Sequence, residues 1–228
     1  MEQARDGASC YVASPSQLLL PGFIAALGAG GFVFRHLLIW VKQHFVIGLG
    51  DYHSRFEPIL YGWREGAHFF VKDRSLADVF EFDKPQANPL HPTMKPVALI
   101  AAMIRNSSRA GEIVYDPFCG SGSTLVAAHQ MERVGYGIEI DPGYVAVALE
   151  RLFTAGSHTE AVQVVSFRFT KFSAKCCGRF PIRRGIAFLV AGAKREVFFE
   201  CRNKELPTLT RTGLGDRRDL IALRLWPA

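Results

Sequence analysis

The chain has 228 residues, 49% of them hydrophobic and 21% charged, which suits one sizeable α/β domain with a full core, or a smaller domain plus an appendage. Its longest apolar runs fall far short of a membrane span and no charged-then-apolar leader opens it, so a soluble, cytoplasmic protein without membrane contact is expected. Five cysteines at irregular positions, two of them adjacent (Cys176 and Cys177), form neither a disulfide framework nor a zinc pattern, and no metal site is expected. The net charge of +6 is unevenly spread: residues 1–154 carry 13 Lys and Arg against 15 Asp and Glu, residues 155–228 carry 14 against 6. The basic excess belongs to the C-terminal third and says little about what precedes it.

In chain order, Ser9 to Ala13 reads as a strand and Pro15 to about Gly28 as a helix with apolar Leu18, Leu19, Phe23, Ile24 and Leu27. Phe34 to Lys42 is rich in branched and aromatic residues and reads as a buried strand. A glycine-flanked loop at 48–51 precedes a strand from about Glu57 to Trp63. Residues 64–90 are polar and mixed, and Pro85 and Pro89 break any helix there. Pro96 suits a first helical turn, the apolar face runs through Leu99, Ala102 and Met103, and Gly111 stops the chain before the next strand.

The densest information lies between Glu112 and Asp141. An apolar run, Ile113 to Tyr115, leads into Asp116-Pro117-Phe118-Cys119-Gly120-Ser121-Gly122, then a helix from Ser123 to about Met131, then a strand from Gly135 to Ile140. Strand, glycine turn, helix, strand is a βαβ unit. Gly120 and Gly122 allow close approach of a ligand, and Ser123 or Thr124 is expected to cap the helix. Glu139, about twenty residues on, ends the next strand where a ribose hydroxyl pair would sit. Cys119 reads as a small side chain in a tight turn rather than a nucleophile. The helix that follows opens at Asp141-Pro142 and ends near Phe153.

Three ligands compete for such a turn. A phosphate-binding loop needs a lysine after its last glycine, and none follows Gly122. A dinucleotide turn wants a third glycine where Leu125 stands. S-adenosylmethionine has no pyrophosphate to cradle and tolerates a bulkier turn. An unrelated α/β core with a glycine turn is the plain alternative.

The stretch DPFCGSGST, followed by GIEIDPGYVAVALERL and preceded by HPTMKPVAL, resembles the DNA amino-methyltransferases that modify adenine N6 or cytosine N4. More narrowly it is similar to their permuted branch, in which the cofactor half comes last; the likeness spans roughly residues 7–153. The resemblance implies a Rossmann-like α/β sheet, S-adenosylmethionine as cofactor and double-stranded DNA as partner. It assigns Asp116, Phe118, Gly120, Gly122, Ser123, Thr124 and Glu139 to the cofactor, and Thr93 and Lys95 to its carboxylate, with plain helix capping as their alternative. It divides the chain into a base-pocket side (1–63), a short variable insert (64–90) and a cofactor half (91–154), and leaves 155–228 as a basic tail, either an arm for phosphate contacts or sequence outside the native fold. Aromatics such as Trp40, Tyr52, Phe56, Tyr61 and Trp63 would either pack the core or stack a target base extruded from the duplex, and His53 and Arg55 would either face DNA or form ordinary surface.

One motif of that family is missing. Its Asp/Asn/Ser-Pro-Pro-aromatic tetrapeptide holds the target amine, yet none of the 12 prolines here adjoins another. The nearest approach, Asp141-Pro142-Gly143-Tyr144, sits at the start of a helix instead. In the permuted order the motif precedes the strand at Ser9–Ala13, so the chain reads as N-terminally truncated, with no assignable catalytic residue. The function expected from the resemblance is methyl transfer to an exocyclic amine of DNA, by a fragment of such an enzyme or a variant completed by a complementing chain that carries the missing strand. The alternative is a non-catalytic cofactor- or DNA-binding remnant.

Overall fold

The structure is a computed structural model. It describes residues 4–14, 18–47, 51–73, 75–85 and 94–156, and the backbone of strands at 162–168, 196–198 and 219–225. The chain forms two compact units, Met1–Ser108 and Arg109–Ala228.

The first unit is a four-stranded sheet with two helices. β1 (Ser9–Ala13) and β2 (Val33–Val46) both pair antiparallel with β3 (Ser54–Trp63), and β4 (Val79–Glu81) pairs parallel with β2. The order is β1-β3-β2-β4. A proline inside the central strand β3 is unusual, because it cannot donate to the ladder. Pro58 keeps half of the pairing at its position: its carbonyl accepts from the Ser14 amide, one residue beyond the end of β1, and the return bond is the one it cannot make. Buried Leu38, Trp40 and Lys42 alternate along β2 as the pleat requires.

Residues 64–90, read as polar and mixed without a helix, contain the strand β4. It is only three residues long and is held by main-chain and side-chain-to-backbone bonds that leave no periodic trace. The Ile39 amide donates to the Asp78 carbonyl (2.8 Å), the Trp40 indole to the Phe82 carbonyl (2.7 Å), and Gln43 exchanges two bonds with the Lys84 backbone. Two helices complete the unit: α1 (Leu20–Ala29) and α2 (Val97–Ser107). Pro96 stands just before α2 rather than within its first turn, and the buried stripe is Leu99, Ile100, Met103, Ile104 and Ser107. The Tyr11 hydroxyl and Ser107 Oγ share a hydrogen bond of 2.5 Å, which ties the end of α2 to β1.

The second unit is built on β5 (Ile113–Asp116), α3 (Ser123–Gln130), β6 (Val134–Glu139) and α4 (Pro142–Thr154). β5 and β6 pair in parallel across the α3 crossover, from Ile113 opposite Val134 to Asp116 opposite Gly137. β7 (Val162–Arg168), β8 (Glu196–Phe198) and β9 (Asp219–Leu225) continue the sheet in the order β5-β6-β9-β7-β8, with β9 antiparallel to β6. Asp141 caps α4 by accepting from the Gly143 amide (2.7 Å), and Pro142 takes the first turn.

Candidate cofactor site at the glycine turn

β5 delivers Asp116 to the mouth of the turn, and both its carboxylate oxygens are used. Oδ1 accepts from the Phe118 amide (3.0 Å), and Oδ2 accepts from the Thr124 hydroxyl (2.5 Å). Asp116 thus spans the turn from strand to helix. This corrects one expectation: neither Ser123 nor Thr124 caps α3, whose N-cap is Gly122 with no side-chain bond. The two hydroxyls are drawn elsewhere by charged partners, Thr124 by Asp116 and Ser123 by Arg151 of α4.

The turn itself needs its glycines. Gly120 and Gly122 have φ of 51° and 73°, the left-handed region. A Cβ on Gly122 would stand 2.7 Å from the Ala148 Cβ, so α4 also packs directly on the turn. Cys119 is buried, and its amide donates to the Ile138 carbonyl (3.0 Å). Burial pushes its thiol well above the ordinary range, and the Asp116 and Glu139 carboxylates push it further the same way. A thiol so held is no nucleophile, in line with its reading as a small side chain.

Glu139, at the end of β6, reaches back to the turn. Its Oε2 accepts from the Gly120 amide (2.9 Å), and its Oε1 accepts from the Ile140 and Asp141 amides (2.9 Å each). A carboxylate offers about four acceptor positions, so room remains for a ligand hydroxyl. Phe118 is 84% exposed and Ile140 53%, leaving apolar side chains open on the turn and just after Glu139. The structure therefore gathers Asp116, Phe118, Gly120, Gly122, Ser123, Thr124 and Glu139 around one turn. It adds Arg151, which the sequence reading missed. One Arg151 nitrogen donates to the Ser121 carbonyl (2.7 Å) and to the Ser121 and Ser123 hydroxyls (3.0 Å each). The available signal was spacing: Ala148 and Arg151 lie three apart on α4 and share a face.

The other expected residues lie in the first unit or outside the description. Thr93 lies outside the described residues. Lys95 is 3.9 Å from Glu57, whose other oxygen is 3.4 Å from the buried Lys42. His53 and Arg55 are exposed; His53 stacks on Phe45 (centroids 5.2 Å apart) and Arg55 donates to the Lys42 carbonyl (3.0 Å). Of the aromatics near them, Trp40 and Tyr61 are core, Phe56 and Trp63 are half-buried, and Tyr52 is 92% exposed. Among the described residues no cluster of side chains is arranged to hold a metal ion, and no helix is long and apolar enough to cross a membrane.

A parallel βαβ unit with a glycine turn, and an acid closing the next strand onto it, is a Rossmann-like α/β arrangement. The chain belongs to the N6/N4 DNA methylase family, whose model it matches over residues 13–150. It is similar to the type II methyltransferase M.HpaI of Haemophilus parainfluenzae, 48% identical over 62 residues, covering 27% of this chain and 20% of that protein. The DNA adenine methyltransferase YhdJ of Escherichia coli K12 is 42% identical over 102 residues, covering 45% of this chain and 32% of that one. Among solved structures, M1.HpyAVI in complex with SAM superposes with a TM-score of 0.58 at 26% identity, over 65% of this chain and 76% of the other. The chain spans a fifth to a third of the length of the two curated relatives.

Proposed function

We propose that this chain carries the cofactor-binding part of a DNA amino-methyltransferase, which moves a methyl group from S-adenosylmethionine to N6 of adenine or N4 of cytosine in double-stranded DNA. The observation that carries the reading is Glu139 closing onto the glycine turn through the Gly120 amide, with no lysine following Gly122 to hold a polyphosphate. A nucleoside bearing a positive sulfonium fits, and one acceptor position on Glu139 is left for its ribose. Phe118 and Ile140 supply apolar surface for the base. Thr93 and Lys95 take the carboxylate, as the HPTMKP motif implies, and His53 and Arg55 face the DNA.

When bound, the cofactor supplies an activated methyl group. The transfer is an in-line displacement in which the protein's main task is positioning. Family membership over residues 13–150 supports this reading. The groups that would hold the target amine are assigned to a partner: β1 and β5 each lie at an edge of their own sheet among the described residues, and either edge offers main-chain groups for an added strand. Residues 155–228 follow the last helix of the family match and are assigned no part in the site.

Calorimetry tests the reading. The 228-residue chain should bind S-adenosylmethionine in preference to NAD or ATP, and Glu139→Ala should weaken binding by about 1.5–3 kcal/mol, the worth of a hydrogen bond to a charged acceptor. Binding of NAD without S-adenosylmethionine would sink it.

A further inference from the structure

We infer that Arg151 is the positioning residue of the glycine turn, and that it sets cofactor affinity without touching the cofactor. The inference rests on the reading of that turn as the S-adenosylmethionine site.

Two residues of the turn, Gly120 and Gly122, sit at positive φ, and glycine gives up more backbone freedom on ordering than any other residue. Within the turn the Phe118 amide bonds Asp116 and the Gly122 amide bonds the Cys119 carbonyl, and further restraint comes from the elements around it. One side is gripped from β6, through the Cys119 amide on the Ile138 carbonyl and the Gly120 amide on Glu139. The other side is gripped by Asp116 through the Thr124 hydroxyl and by α4, through the close approach of Ala148 to Gly122 and through Arg151.

The Arg151 contact is directed at the peptide that matters. Its nitrogen fixes the Ser121 carbonyl, and since the peptide is planar, this also fixes the direction of the Gly122 N–H, which donates to the Cys119 carbonyl (2.8 Å). The same nitrogen holds the hydroxyls of Ser121 and Ser123, which are 2% and 7% exposed. The two hydrogens on that nitrogen are shared among the three oxygens, so one group ties the Ser121 peptide to both hydroxyls. Burial draws the guanidinium pKa downward, yet an arginine stays protonated at any ordinary pH. The partners it meets are neutral oxygens, so its role is geometric bracing rather than charge pairing.

Because one nitrogen makes all three contacts, the planar fork of arginine is not used. A lysine ammonium, with three donors, can replace it. That gives the proposal a conservative rescue which general destabilisation would not reproduce. The experiment compares the unaltered chain, Arg151→Lys and Arg151→Met by calorimetry with S-adenosylmethionine and by amide hydrogen exchange without it. Arg151→Met should lose about tenfold in affinity, equivalent to about 1.4 kcal/mol. It should also exchange faster at Gly120 and Gly122 while Val114 and Tyr136 in the strands keep their protection. Arg151→Lys should recover both properties. Faster exchange spread evenly over β5 and β6, or an Arg151→Met chain with unchanged glycine exchange, would overturn the bracing role. If the unaltered chain binds no S-adenosylmethionine, the cofactor reading fails and the claim on affinity with it, while the exchange arm still decides whether Arg151 braces the turn.

Discussion

The Cδ1 of Leu125 lies 3.0 Å from where a Cβ on Gly137 would stand, and the Cys119 Sγ lies 2.8 Å from the same point. Leu125 occupies the place of the third glycine in a dinucleotide turn, whose smallness lets helix and strand close together. Here the small residue is on the strand instead. Leu125 is fully buried against β6, and Gly137 makes the space. Gly137→Ala should therefore cost about 1–3 kcal/mol through overpacking. Urea denaturation checks it, and combining the change with Cys119→Ala should give less than the sum of the two losses, because the two sites share one contact.

The same comparison shows what the sequence could and could not reveal. The turn, its glycines and Glu139 were legible because about thirty consecutive residues carry them all. β4 was not, since a three-residue strand fixed by the Asp78 and Phe82 carbonyls has no pattern to read. The capping roles of Ser123 and Thr124 were misassigned for a related reason. Local propensity favours a serine or threonine cap, but Asp116 and Arg151, 8 and 28 residues away, took the hydroxyls. Arg151 alone on an amphipathic helix looks like surface charge until the turn is folded against it.

Cys119 offers a pH test. Its folded-state pKa is raised, so the folded chain keeps the proton that the unfolded chain releases above the ordinary thiol value of about 8.5. The unfolded state then binds fewer protons, and stability should fall as pH rises past that value. In the native chain Cys119 should resist alkylation at mildly alkaline pH and become labelled only in denaturant. Peptide mapping resolves it from the other cysteines, and rapid native labelling would contradict the buried placement.

Lys42, Glu57 and Lys95 should respond asymmetrically to mutation. Lys42 is 6% exposed and pairs with the Glu57 carboxylate at 3.4 Å. Glu57→Gln strands that charge and should cost about 2–3 kcal/mol, less than for a fully dry pair because Glu57 keeps some solvent. Lys42→Met removes a buried charge while Lys95 remains beside Glu57, and should be close to neutral. Urea midpoints showing equal losses would refute the asymmetry.

The tail is tested by truncation. The family match ends at residue 150, and residues 155–228 carry the basic excess. A chain ending at Gly156 should be at least as soluble and melt at least as high as the full chain. The competing expectation comes from β9, which pairs with β6 from Gly135 to Glu139, so removing it would bare that strand's outer edge. A melt lowered by several degrees on truncation would assign the tail to the fold.

The 228-residue chain alone should be silent on DNA. Binding a methyl donor is only half of the reaction. The exocyclic amine of adenine or cytosine is a poor nucleophile, because its lone pair is delocalised into the ring. It must be held by polar acceptors while the extruded base is stacked. The family does this with a Pro-Pro motif, and no two prolines are adjacent here. Asp141, in the one near match, is already committed as the cap of α4 through the Gly143 amide. A second chain carrying an Asp-Pro-Pro-Tyr-type strand should restore turnover if it can pair with an open edge such as β5 or β1. The measurement is transfer of labelled methyl from S-adenosylmethionine to mixed-sequence duplex DNA, with and without that added strand. Silence alone and incorporation on complementation is the expected pair of results. Robust incorporation by the chain alone would mean that other groups hold the amine, and Asp51 and Asp141 would be the first to replace.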